Sequence, residues 1–200
     1  MLATLVANQS VGNGCPKGFT VTQTSTNQIS NLIVKALPRV KGLGEGLLKD
    51  IDSATAAQFP DQNGQPITCN HPVFVFGHLS IYPQMVMGML GGDPSIAAVP
   101  DTYKDLFMHG VDCQHDHDNT IYPGLDEIVN NFNKAYDALT EFAQTLDDDF
   151  LAKDIEGNDG FKDAFGTNGV MLMFLLHDHP MFHFGQISTW RRAMGLGSVM

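Results

Sequence analysis

The sequence predicts an all-α protein, a four-helix bundle with at least one long crossover connection. Four segments keep apolar residues at helical spacing, whereas no alternating run indicates a strand and no internal repeat is present. The second and third predicted helices are joined by about thirty residues and the third and fourth by about twenty, more than a simple up-and-down bundle needs. We therefore expect a single domain over residues 20–200, preceded by a flexible tail of residues 1–19.

The first predicted helix begins near Ser25, because Gln28 three residues later completes a capping box. Apolar residues then keep helical spacing up to Pro38, which should end or bend the helix. A further helical piece, loosened by glycines, is expected over residues 43–51. The prolines and polar residues of 58–68 are typical of a loop.

The second predicted helix has a clear start signal. Asn70 or His71 would cap it, with Pro72 at the first helical position, where a missing N–H costs nothing. The apolar run continues to Leu90, and Pro83 should kink it. One apolar face is expected to carry Phe74, His78, Ile81, Tyr82, Met85 and Met89.

The third predicted helix is the most clearly amphipathic. It follows a long connection, residues 93–122, that includes a short helix at 102–108. The helix should start near Pro123 and keeps its apolar spacing as far as Leu146. The acidic run 147–149 would end it unfavourably, since anions oppose a helix C-terminus.

The fourth predicted helix lies within the apolar run 170–194, after a glycine-rich loop at 157–169, and stops at Gly195. Pro180 removes one hydrogen bond, so the helix should either bend there or begin anew with His179 as its cap.

Composition excludes several classes of function. The formal net charge of −11 argues against binding nucleic acid or an anionic lipid surface. No apolar run reaches membrane-spanning length, and the first residues lack the basic start of a secretory signal. The three cysteines, Cys15, Cys69 and Cys113, are odd in number and far apart, which favours a reduced, cytoplasmic protein.

Three histidines on predicted helices suggest a metal site. His179 and His183 are four residues apart and would stack on one helix face, while His78 lies on the apolar face of another helix. His78 could instead be a core histidine bonded to a backbone carbonyl, and His179 and His183 could be imidazoles on a helix surface. A shared divalent transition metal would be bound by all three imidazoles and would keep one coordination position open for water or substrate. We expect zinc or nickel, with iron or copper as alternatives.

These motifs resemble the DinB-like superfamily, which includes bacillithiol and mycothiol S-transferase-type proteins. The resemblance is carried by Gly77-His78-Leu79 and by His179-Pro-Met-Phe-His183-Phe-Gly185-Gln186, and it spans roughly residues 20–197. It implies a four-helix bundle with a crossover, a homodimer, and a metal held by His78, His179 and His183. One departure is Phe184, since that position is commonly basic; Arg191 or Arg192 would have to replace any anion-steering role.

A second polar cluster, residues 112–118, contains ligand-type side chains. Its histidines are two residues apart in a polar loop, which is more typical of a solvated segment. If the loop folds over the end of the bundle, His115, His117 or Asp116 could transfer protons or supply a fourth ligand.

The leading hypothesis is a metal-dependent enzyme that activates a low-molecular-weight thiol for transfer to a small electrophile, as the resemblance implies. Metal-dependent hydrolysis is the alternative reaction, and a non-catalytic bundle that binds a metal or small ligand is the alternative class. No Ser-His-Asp order, phosphate loop or dinucleotide motif is visible.

Overall fold

A computed structural model of the chain describes residues 26–199, and most of these residues are helical, which confirms the all-α prediction. The α-helices are α1 Gln28–Leu48, α2 Pro72–Met89, α3 Thr102–Phe107, α4 Leu125–Ala143, α5 Asp148–Leu151, α6 Asp159–Phe165, α7 Asn168–Met173 and α8 His179–Ala193. A 3₁₀ turn spans Pro94–Ala97 and a π-helical turn spans Phe174–Asp178. Within the described residues, no helix is long and apolar enough to cross a membrane.

The predicted loop at 58–68 contains a minimal hairpin that the sequence did not indicate. Strand β1, Asp61–Gln62, pairs antiparallel with β2, Gln65–Pro66. Asn63 and Gly64 between them both have positive φ, as a tight hairpin turn requires. Strands of two residues are too short to show an alternating pattern.

Helix α1 is continuous where the sequence predicted an end or a bend followed by a separate piece. It runs through Pro38, which lies on the exposed side, where water can bond the carbonyl that the proline leaves free. The opposite side is buried and holds the helix together; it carries Ile33, Leu37, Val40, Gly44 and Leu47. The predicted cap residue Ser25 and the predicted tail 1–19 lie outside the described residues.

The acidic run 147–149 does not end the third predicted helix, and the expectation of an unfavourable C-terminus was wrong. Helix α4 already ends at Ala143. Asp147 caps α5 by accepting a hydrogen bond from the Phe150 N–H, and Asp148 accepts from the Ile29 N–H at the start of α1. Both carboxylates therefore face helix N-termini, where negative charge is stabilising.

Helix α2 is the centre of the fold. It packs against α3, α4, α8 and the 3₁₀ turn, and it is buried on nearly all sides rather than on the one face that we predicted. Val75 and Leu79 are fully buried, whereas Met85 and Met89 are only partly so. The central position explains why the segment is apolar almost throughout.

The predicted cap of α2 is formed by His71. Its Nδ1 accepts a hydrogen bond from the Phe74 N–H at 3.1 Å, and its Nε2–H donates to the carbonyl of Gln114 at 3.0 Å. This arrangement requires a neutral imidazole. Burial, the largest influence, lowers the pKa of His71 from 6.5 to about 4.

The depressed pKa of His71 makes stability depend on pH. The unfolded chain takes up a proton near pH 6.5 and the folded chain only near pH 4. The stability that the neutral imidazole contributes is therefore intact above pH 6.5 and is lost as the pH falls, and the loss reaches about 3 kcal/mol below pH 4. We expect the free energy of unfolding of the metal-free protein, measured by chemical denaturation, to fall less between pH 7 and 4 in His71→Asn than in the wild type. The asparagine side chain can cap the helix but cannot titrate. If the free energy of unfolding fell equally with pH in the two proteins, this prediction would be contradicted.

The C-terminal part departs from the prediction of a loop followed by one long helix. Helix α6 occupies the predicted loop 157–169, and the last helical run starts at Asn168 and passes through the π turn into α8. In that turn the His179 N–H bonds the carbonyl of Phe174, five residues back. The wider turn accommodates Pro180, so His179 is the first residue of α8 and the helix does not restart from a separate cap.

Candidate metal centre

The structure brings together the three histidines that the sequence singled out. His78 comes from the middle of α2, and His179 and His183 come from the first turns of α8. One ring nitrogen from each lies within 4.8 Å of the other two. His78 is 6% exposed and His179 is 9% exposed, while His183 is partly buried. This buried three-histidine group could hold a metal ion.

Two of the three rings are oriented by hydrogen bonds at their outer nitrogens. His78 Nδ1 donates to the carbonyl of Phe107 at 2.7 Å, and His183 Nδ1 donates to Oε1 of Gln186 at 2.8 Å. The same Gln186 oxygen accepts from the side chain of Asn70 at 3.0 Å. A neutral imidazole that donates through Nδ1 has a bare Nε2, so both rings present a lone pair to the centre of the cluster.

His179 is the least satisfied member of the cluster. Its Nε2 lies 3.1 Å from Nε2 of His183, and its Nδ1 is buried without a hydrogen-bond partner. Two imidazole nitrogens so close need a proton or a cation between them. Zinc–nitrogen bonds of about 2.0–2.1 Å in tetrahedral geometry place ligand nitrogens about 3.3 Å apart, close to the observed separation. The donor set therefore fits a divalent transition metal.

The surroundings keep the three imidazoles neutral. Burial, with a smaller contribution from the neighbouring His183, lowers the pKa of His78 to about 4, although the hydrogen bond to the Phe107 carbonyl partly offsets it. Burial, with the neighbouring His183 and His78, lowers the pKa of His179 to about 3, and burial also lowers that of His183. Neutral imidazoles are the form that binds metals, so little proton competition is expected at pH 7.

The cluster forms part of the wall of an open cavity of about 1240 Å³. Cys69 and Cys113 line the same cavity, which their distance in sequence did not indicate. Burial raises the pKa of Cys69. Burial, the largest influence, also raises the pKa of Cys113 to about 12, although a hydrogen bond from the His71 N–H partly offsets it. Both residues are therefore protonated thiols at neutral pH. Cys15 lies outside the described residues.

Only the first part of the second predicted cluster, residues 112–118, lies at the cavity of the three histidines. Asp112 and Cys113 line the cavity, but His115, His117 and Asp116 do not. Asp116 is buried and accepts hydrogen bonds from the N–H groups of Thr120, Ile121 and Tyr122, which closes a turn. His115 Nδ1 accepts from the Phe59 N–H at 2.8 Å. These contacts organise the loop, and a role of His115, His117 or Asp116 in proton transfer or as a fourth ligand stays a prediction.

Phe184, at the position that is commonly basic in the resembling superfamily, is a core residue. It is 1% exposed and packs against Phe76 at a ring distance of 5.6 Å. A Cβ on Gly44 of α1 would lie only 2.7 Å from its ring, so the phenyl group fills the space that this glycine leaves. Trp190, also on α8, is 1% exposed, and its indole N–H donates to the carbonyl of Gln58 at 2.8 Å, as expected of a buried indole.

Comparisons with known proteins leave the chain without an assigned family, since no family model, no curated protein and no solved structure matches it.

Proposed function

We propose that His78, His179 and His183 bind one divalent transition metal, zinc or nickel first, and that the protein is a metal-dependent S-transferase acting on a low-molecular-weight thiol and a small electrophile. The observation that carries this proposal is the convergence of three neutral, largely buried imidazoles on the wall of an open cavity. An ion on three imidazoles keeps a position for another ligand and lowers the pKa of a thiol or water bound there.

The residues of the chain would perform three tasks in this reaction. The carbonyl of Phe107 and the amide of Gln186 hold the Nδ1 protons of His78 and His183, so that both Nε2 atoms stay directed at the ion. Phe74 stacks on His78 and Phe174 stacks on His179, which fixes the rings and limits water around them. The cavity would hold the thiol and the electrophile next to each other.

We also propose, from the resemblance, that α1, α2, α4 and α8 form a DinB-like four-helix bundle with the 90–124 segment as its crossover, and that the chain forms a homodimer. The packing of α2 against α4 and α8, and of α1 against α8 and α4, supports the bundle. Sedimentation equilibrium tests the dimer, which requires twice the mass of the chain.

Elemental analysis of protein purified without a polyhistidine tag tests the metal site. We expect about one equivalent of a transition metal in the wild type and none in His183→Ala, because two imidazoles do not retain the ion through purification. His117→Ala is the matched control, since His117 is exposed and lies away from the cavity, and it should keep its metal.

The outcomes separate the proposed functions. A wild type that stays metal-free after incubation with excess zinc and nickel would refute the proposal. If metal loads, a transfer screen with and without an added thiol follows. Product formed only with the thiol supports S-transfer, while thiol-independent turnover of an ester or amide would favour a hydrolase. Metal binding with no turnover would favour a non-catalytic binding protein.

A further inference from the structure

Aromatic and other apolar side chains form part of the lining of the cavity beside the three histidines. Four phenylalanines, one tyrosine and one methionine contribute to its wall: Phe59, Phe74, Phe174, Phe182, Tyr82 and Met108. Phe182 is 68% exposed and its ring lies 5.2 Å from that of His183, so it stands beside the cluster where a bound molecule would contact it. Surfaces of this kind bind the flat apolar part of a ligand, which gains by leaving water.

The charged groups of the cavity are acidic. Asp112 and Asp178 line it and are exposed, whereas no lysine or arginine belongs to the wall among residues 26–199. A divalent ion on three neutral histidines carries two positive charges, which these two carboxylates offset at longer range. The first donor atom of a ligand is therefore attracted by the ion. A second negative charge on that ligand meets two carboxylates and no lysine or arginine, and the only other exposed titratable side chain among the described wall residues, His109, carries no formal charge.

The arginines that could have steered an anion are engaged elsewhere. Arg191 is 2% exposed, and its guanidinium donates to the carbonyls of Leu47 at 2.9 Å and Lys49 at 2.5 Å, which ties α8 to the end of α1. Arg192 donates to the carbonyl and hydroxyl of Ser188 on the outer face of α8. Neither arginine lines the cavity. Neither can therefore take the anion-steering role that the resemblance gives to a basic residue at the position of Phe184.

From these observations we propose that the cavity selects molecules whose body is aromatic and uncharged or cationic, and that it discriminates against molecules with a remote carboxylate. This proposal rests on the proposed function, because the donor atom of the thiol would bind the ion. The selectivity, in contrast, comes from the residues that line the cavity. Carboxylate-rich thiols are thus poor substrates, and an arylalkyl thiol or an arylalkylamine-like molecule is the class that fits.

Three thiols that differ only far from sulfur test this inference: benzyl mercaptan, its para-carboxylate and its para-aminomethyl derivative. The remote group leaves the thiol pKa nearly unchanged, so differences in dissociation constant report the cavity wall. We would titrate each into the Co²⁺-loaded protein and follow the ligand-field absorption. The aminomethyl and unsubstituted compounds should bind about tenfold more tightly than the carboxylate, and the difference should shrink at high salt.

The double variant Asp112→Asn/Asp178→Asn should reduce the discrimination to about twofold, since both carboxylates are removed without change of shape. A carboxylate that binds the wild type as tightly as the amine would overturn the inference even if the metal site is real. Failure to load cobalt, zinc or nickel would instead refute the proposed function. In that case we would compare the binding of benzylamine and benzoate to the metal-free protein by ligand-observed NMR. Tighter binding of benzylamine would support the inference, and equal or tighter binding of benzoate would overturn it.

Discussion

Replacing His179 by leucine should have opposite effects on the metal-free and the metal-loaded protein. His179 is 9% exposed, its Nδ1 is buried without a partner, and its lowered pKa shows that the site disfavours a charged ring. A side chain of similar size without polar atoms removes these costs, so His179→Leu should be about 1 kcal/mol more stable than wild type in the presence of a chelator. Buried polar groups kept at a cost to stability are typical of functional sites.

With zinc the order should reverse. The wild type gains about 2.7 kcal/mol at a free zinc concentration 100 times its dissociation constant, whereas the variant gains almost nothing. Loss of a ligand should weaken zinc binding by more than about 100-fold, since loss of an outer partner alone costs about 10–100-fold. Chemical denaturation with and without zinc, together with competition against a chromophoric chelator, measures both quantities.

His177→Leu provides the matched control, two residues away on the same segment. The Nε2–H of His177 donates to the carbonyl of Ile33 on α1 at 2.6 Å, and His177 lies outside the cluster. This variant should lose about 1 kcal/mol and still bind zinc. A His179→Leu protein that keeps the zinc-dependent gain would rule out His179 as a ligand.

The sequence predicted the parts of the site that depend on local pattern. His179 and His183 share a helix face because they are four residues apart, and His78 lies in a helix that His71 and Pro72 start as expected. Helical periodicity and capping act over a few residues, so they can be inferred without knowing the fold. The role of the three histidines as ligands stays a prediction.

The sequence could not indicate what tertiary packing decides. Asp148 was misinterpreted because its partners, the N–H groups of Gln28 and Ile29, lie about 120 residues away in the chain. Likewise Cys69 and Cys113 line the same cavity only because the loop after α3 returns to the start of α2. Continuity of α1 through Pro38 was also missed, since the packing of the buried face outweighs the local cost of a proline.

Gly77→Ala is expected to be among the most damaging single substitutions near the site. A Cβ at this position would lie 2.6 Å from two atoms of the Phe107 ring, and Phe107 is fully buried. That ring cannot give way easily, because it packs against Tyr103 at 5.1 Å and Tyr122 at 5.5 Å. We expect a loss of about 2–3 kcal/mol in the free energy of unfolding.

The same substitution should weaken metal binding, because the carbonyl of Phe107 orients His78 and moves when the ring is displaced. Gly88→Ala on the same helix is the control: its Cβ would meet only Pro94 at an ordinary 3.6 Å, so α2 should gain up to about 1 kcal/mol from the better helix former. Adding Phe107→Leu to Gly77→Ala should restore part of both losses, which identifies the ring contact as their cause. A Gly77→Ala protein as stable as Gly88→Ala would show that α3 can move away from α2 without loss of stability. The proposal that the Phe107 carbonyl fixes the orientation of His78 would then be wrong.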